Sequence, residues 1–195
     1  MNRLTEGVKN LLIIHVIFLF AYQVLKNYNV DLGLHLPMSG NPSFQPFQLV
    51  TSVFVAPDFR ALLFSGIALY FVGGFVETML GFKNFFSYYL ICAFAGMGLN
   101  ILLYTFFGNG GNDYFYGPDG AINGVIIFFL VYFWNKELNL LFIPIQFKGW
   151  MLFILFFTGK LWAASKGFQG VSPVWSAIGG SIAGFLYLTY WRRKS

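Results

Sequence analysis

Charge is scarce in this sequence. Asp, Glu, Lys and Arg make up 10% of its 195 residues, whereas apolar residues make up 57% and aromatics 22%. Soluble domains carry about 25% charged residues, so this chain cannot cover a water-facing surface and is expected to be an integral membrane protein of a single domain. Cys92 is the only cysteine, which excludes a disulfide framework. The histidines are His15 and His35 alone, and two histidines with one cysteine build no zinc site without carboxylates. No metal and no other cofactor is expected. The net charge of +5 comes from scattered bases, with one cluster at Arg192, Arg193 and Lys194. Beside an apolar run such a cluster is a cytoplasmic anchor, and no nucleic-acid partner is expected.

What is abundant is uncharged sequence between isolated charges. There are 16 such residues between Lys9 and Lys26, 16 between Arg60 and Glu77, and 29 between Lys83 and Asp113. Another 16 separate Asp119 from Lys136, and 25 separate Lys166 from Arg192. A helix crosses a bilayer with about 20 residues, and flanking Lys and Arg can snorkel. Trp150 to Ala164 is apolar apart from Lys160, which snorkels from the outer end and makes a sixth run. The expected spans are therefore 9–27, 60–77, 84–107, 119–135, 149–165 and 172–191. The first is read as a retained helix, because no small-x-small cleavage site follows it. Six spans put both termini on one side. Eight bases (Arg3, Lys9, Lys83, Lys136, Lys148, Arg192, Arg193, Lys194) would share that side, against Lys26, Arg60, Lys160 and Lys166 on the other. Both termini are expected in the cytoplasm, in a plasma or inner membrane.

Residues 31–59 hold Pro37, Pro42, Pro46 and Pro57 among apolar side chains. The stretch is too broken for a helix and too apolar for a solvated loop, so a half-embedded loop packed on the bundle is expected. Small residues cluster in three runs: Gly96 and Gly98; Gly117, Gly120, Ala121 and Gly124; Gly179, Gly180, Ala183 and Gly184. Gly120 and Gly124 are four apart, as are Gly180 and Gly184, a spacing that lets two backbones approach closely. Spans four and six are expected to touch there.

Taken together, these features resemble the rhomboid family of intramembrane serine proteases, from about Pro42 to Tyr190. Gln45-Pro-Phe-Gln-Leu-Val-Thr51 looks like the start of that family's second span. Gly73, Gly74, Glu77 and Gly81 follow its Gly-Gly-x-x-Glu-x-x-x-Gly pattern. Pro144 falls in the loop before span five, and Gly179-Gly180-x-x-Ala183-Gly184 is similar to span six. The resemblance implies an all-α bundle of six transmembrane helices. It also implies a Ser in a Gly-x-Ser-Gly turn opening span four, a His on span six as its base, and a His and an Asn on span two at the oxyanion.

The sequence departs at each of those positions. Gly117-Pro118-Asp119-Gly120 stands at the turn, so Asp119 takes the nucleophile position. Ala177 takes the base position, Ala61 and Ser65 take the span-two positions, and Ala56 stands where an outer-loop His is often found. Independently of any resemblance, no His occurs in the last 160 residues, so a Ser–His dyad between spans four and six cannot form. Losing one member of such a unit costs on the order of 10⁴–10⁶ in rate. Other chemistry is poorly supplied. A carboxylate pair would need Asp119 with Asp113 from the same loop, Ser176 has no visible base, and Cys92 lies in an apolar run. Asp119 itself is expected to cap the start of span four.

The reading that follows is a rhomboid-like pseudoprotease that binds transmembrane segments of client proteins in the lipid bilayer. By the resemblance, a client enters between spans two and five, with Phe59, Phe71, Trp150 and Phe157 as gate residues. Two alternatives stay open: an active intramembrane serine endopeptidase, by fold alone, and a small transporter or channel using Asp119 and Lys160. The sequence does not specify an oligomeric state.

Overall fold

The structure is a computed structural model that describes residues 4–28, 36–37, 45–56, 59–107, 114–115, 117–135, 137–139, 146–148, 150–151, 154, 158 and 172–193. Helix α1 spans Glu6–Asn27. Strand β1 (Leu36–Pro37) and helix α2 (Gln48–Thr51) belong to the first loop. Then come α3 (Phe59–Ala68), a π-helical turn (Leu69–Gly73) and α4 (Gly74–Leu80). Helix α5 covers Phe82–Phe107, β2 Tyr114–Phe115 and α6 Asp119–Tyr132. Strands β3 (Glu137–Asn139) and β4 (Gln146–Lys148) precede α7 (Ser172–Arg192). Among the described residues, three helical runs are long and apolar enough to cross a membrane: Glu6–Leu25, Phe59–Leu80 and Phe82–Phe107. The run expected at 149–165, with Lys160 and Phe157, lies mostly outside the described residues, as do His35 and Asp113.

Two features were not expected. The second span is not one uniform α-helix. Its middle turn is π-helical, which interrupts the α register between α3 and α4. The fold is also not purely helical. Leu36 and Pro37 pair with Phe115 and Tyr114, which ties the first loop to the segment before α6. Glu137–Asn139 pairs antiparallel with Gln146–Lys148. Such short pairings satisfy backbone groups that a loop beside a membrane would otherwise leave unbonded.

Three helices form the tightest part of the core, and glycine is the reason. A β-carbon added at Gly180 would overlap the carbonyl of Gly120, and one at Gly184 would lie 3.0 Å from the Cα of Gly124. Positions 120 and 124 thus meet 180 and 184 in rising order, so α6 and α7 run in the same direction. Helix α5 runs against both. A β-carbon on Gly96 would meet Ser176 and Gly120, and Tyr88, two turns earlier, donates its O–H to the Gly124 carbonyl. Close backbone approach of this kind lets van der Waals contact hold helices together without a hydrophobic driving force.

The two spans before this trio are joined by a carboxylate. Glu77 is buried in α4, and it accepts the backbone N–H of Gly7 and of Val8, each at 2.8 Å, and the hydroxyl of Thr5 at 2.5 Å. The first turn of α1 lacks intrahelical partners for its N–H groups, so Glu77 takes up two of them and meets the positive end of the helix. The turn after Glu77 ends on Gly81, whose φ of +77° suits glycine and whose N–H closes on the Glu77 carbonyl at 2.7 Å.

The first loop packs against the bundle over its described residues. Val53, Val55 and Ala56 are buried, and Phe54 lies edge-on to His15 with ring centroids 5.7 Å apart. Leu36 and Phe115 form a small cluster on Met97 of α5.

Candidate functional site

The turn Gly117–Gly120 lies beneath the first loop. Gly117 has a φ of +90° and donates its N–H to the Ser52 carbonyl at 2.8 Å. It was grouped by sequence with the helix-packing glycines; the structure puts it in the turn instead, where only its backbone conformation is used. A β-carbon there would face the Val55 carbonyl at 3.4 Å. Pro118 occupies the capping position of α6 and offers no side-chain hydrogen bond. Asp119 is therefore the first helical residue rather than the cap itself. It still lies where the positive end of the helix favours a carboxylate. Its carbonyl accepts the side-chain N–H of buried Asn123 at 2.5 Å, and the Pro118 carbonyl takes the N–H of Ile122.

Opposite this turn is the start of α7. Ser176 and Ala177 are both buried, at 0% and 1% exposure. Ser176 is the residue that touches α6: its Oγ would be 3.2 Å from a β-carbon on Gly120 and 2.8 Å from one on Gly96. Among the described residues it has no hydrogen-bond partner, and no histidine or carboxylate is placed to act as its base. The structure brings Gly120, Gly124, Gly180 and Gly184 together as the spacing suggested, and adds Gly96, Gly179 and Cys92 from α5 and α7. Gly98, in contrast, faces open space. Helical spacing alone could not separate Gly96 from Gly98, because that choice depends on how α5 is rotated in the bundle.

The start of α3 supplies an apolar wall. Ala56 and Leu62 are buried with Leu19, and Ala61 packs against them. Ser65 is half-buried. Phe59 and Phe71 are exposed, and Trp150 is half-buried. Cys92 is buried between Gly124 and Tyr88.

His15 is committed elsewhere. Its Nδ1–H donates to the Leu11 carbonyl at 2.7 Å, so Nε2 is left to accept the Tyr89 hydroxyl at 3.0 Å. Both ring nitrogens are engaged, and the ring is buried between α1, α5 and Phe54. The tyrosine bridge to α5 spans 74 residues of sequence, too far for the sequence alone to show. The tie between Glu77 and α1, over 70 residues, was hidden for the same reason. Among the described residues, no group of three or more His, Cys, Asp and Glu is arranged to hold a metal ion.

Compared with known proteins, residues 43–194 match the family model described as the Rhomboid domain. No curated protein matches the chain. The matched region covers most of the sequence, and the chain belongs to the rhomboid family.

Proposed function

We propose that this member of the rhomboid family does not cleave peptide bonds and instead holds transmembrane segments of client membrane proteins. The observation that carries the reading is the junction of α6 and α7. Where family members have a nucleophile and its base, this chain has Asp119 and the methyl of Ala177. Hydrolysis needs a nucleophile, a proton acceptor and oxyanion donors converging on one carbonyl. Ala61 and Ser65 replace the span-two donors, and Ala56 replaces the outer-loop His. His15 is held by Leu11 and Tyr89. Without the chemistry, the family's lateral entry between spans two and five would remain as a place to hold a client, with the exposed Phe59 and Phe71 on the span-two side. The same reading takes the chain to cross a plasma or inner membrane six times with both termini in the cytoplasm.

The test is cleavage by the purified protein. With a permissive rhomboid substrate in proteoliposomes, no product is expected, and fluorophosphonates should leave the protein unlabelled. Asp119→Ser alone should restore nothing, because the new hydroxyl would have no base. Combined with Ala177→His it should give at most traces, since the span-two oxyanion donors would still be missing. Robust cleavage by the wild type that is abolished in Asp119→Ala would overturn the proposal. Client binding is tested separately, by photocrosslinking from positions 59 and 71 in native membranes. Adducts that map to transmembrane segments support it, and adducts with lipid alone refute it.

A further inference from the structure

Span two is held unequally along its length. The seven residues of α4 bury Val76, Glu77 and Leu80, whereas the ten of α3 bury only Leu62. Glu77 takes hydrogen bonds from Thr5, Gly7 and Val8 at the start of α1. Phe75 packs on Phe129 and Phe133 at the end of α6, with ring centroids 5.4 and 4.9 Å apart. A buried carboxylate and an aromatic cluster thus fix α4 to two other helices. Among the described residues, α3 has neither. Its seat is Leu62 and Ala61 against Leu19 and Ala56, with Gly66 beside Leu12. Phe59, Leu63, Phe64 and Ile67 are exposed.

The π-helical turn, Leu69–Gly73, lies between these two parts. A π turn closes i→i+5 bonds, is rare, and is one of the few places where helices bend sharply. Its buried residues meet α1: a β-carbon on Gly73 would lie 3.0 Å from Val8 and 3.4 Å from Leu69. Tyr70 and Phe71, edge-on to each other at 5.1 Å, are exposed. The turn is therefore pinned on one side and open on the other. Gly73 and Gly74 stand where it joins α4, and Gly66 lies about a turn before it. Glycine has no side chain to repack when the angle between two helical parts changes.

We infer that span two is hinged at the π-helical turn: α4 stays fixed to α1 and α6, while α3 swings from its seat on Leu19 and Ala56 and widens the side of the bundle through which a transmembrane segment enters. A hinge is a few residues that absorb a change of backbone angle between parts that move as units. Leaving the seat turns Leu62 and Leu19 toward lipid tails, which are as apolar as the interior they leave, so the swing escapes the penalty it would meet in water. Helix α4 cannot follow, because it would leave the Glu77 carboxylate buried without its partners. A segment that binds the open arrangement more tightly shifts the balance toward it. What enters rests on the client-binding reading; the hinge rests on the turn and the uneven burial.

The experiment measures distances in the full chain in phosphatidylcholine vesicles. Nitroxides are attached to two double variants, Phe64→Cys with Leu102→Cys and Thr78→Cys with Leu102→Cys. Phe64 of α3, Thr78 of α4 and Leu102 of α5 are all exposed, and Cys92 is buried, so the introduced thiols are the ones that react. Pulsed electron double resonance should give a distance distribution several-fold broader from position 64 than from position 78. Adding the transmembrane segment of a permissive rhomboid substrate should narrow the first distribution about a displaced mean and leave the second in place. A third variant, Gly66→Cys with Leu12→Cys joined by a short bifunctional thiol reagent, ties α3 to α1. The tie should lower photocrosslinking of that segment to position 59 several-fold, and its reductive cleavage should restore the adduct. Equally narrow distributions from 64 and 78 would overturn the hinge. Equally broad ones would do the same, because the span would then move as one rod. Undiminished crosslinking in the tied protein would overturn the link between the swing and entry. A broad distribution from 64 that the segment leaves unchanged, with no adduct formed, would keep the hinge and defeat client binding instead.

Discussion

At the scale of single residues, Glu77 has the clearest structural task. Its two oxygens take three hydrogen bonds from Thr5, Gly7 and Val8, and a β-carbon on Gly7 would sit only 2.8 Å from the carboxylate. Hydrogen bonds to a charged group are worth about 1.5–3 kcal/mol each, and removing the acceptor leaves buried donors unpaired. Glu77→Ala should therefore lower stability by roughly 3 kcal/mol or more, read as a lower melting temperature in detergent. Gly7→Ala should do the same by pushing the carboxylate aside. If both variants melt with the wild type, the link between spans one and two is not what holds them. The glutamate and its spacing to Gly73, Gly74 and Gly81 were legible in the sequence. Its partner was not, because contact between residues 70 apart depends on how the helices are arranged. Asp119 shows a smaller gap of the same kind. Its place at the start of a helix was legible, but the cap fell to Pro118 because the turn through Gly117 enters the helix one residue earlier.

At the scale of elements, the contact between α5, α6 and α7 distinguishes glycines that look alike in the sequence. Gly98 and Gly180 both lie inside long helices. A methyl at Gly98 meets nothing within 4 Å, whereas one at Gly180 overlaps the Gly120 backbone. Gly98→Ala should be neutral or stabilising by up to about 1 kcal/mol, the difference in helix propensity. Gly180→Ala should cost about 1–3 kcal/mol through overpacking, and Gly180→Leu more. Thermal denaturation in detergent reads all three, and equal melting of Gly98→Ala and Gly180→Ala would contradict this packing. The spacing of four in spans four and six was a legible signal. The third helix was not, because its glycine needs no partner at that spacing: Gly96 alone admits Ser176 and Gly120. The π-helical turn at Leu69–Gly73 was also hidden, since an extra residue within a turn leaves no mark on an apolar run.

At the scale of the whole molecule, the prediction concerns which way the chain lies in the membrane. With both termini cytoplasmic, an impermeant thiol reagent applied outside intact cells should label Asn109→Cys and spare Ser195→Cys. Labelling of the two from the same side would rule out the six-span arrangement. Composition alone decided that this chain belongs in a membrane, because 10% charged residues cannot face water over a whole surface. The absence of histidine after His35 likewise decided, without coordinates, that spans four and six hold no Ser–His pair. These are properties of residue content, which folding does not alter. The tertiary structure decided everything that depends on relative position. It closed α1 onto Glu77, tied His15 to Tyr89, seated the first loop over the turn before Asp119, and paired Glu137–Asn139 with Gln146–Lys148. Apolar periodicity gives a membrane helix its length but barely its rotation, since lipid and protein interior are both apolar. Which face meets a neighbour is then set by the close contacts themselves, and those exist only once the helices have packed.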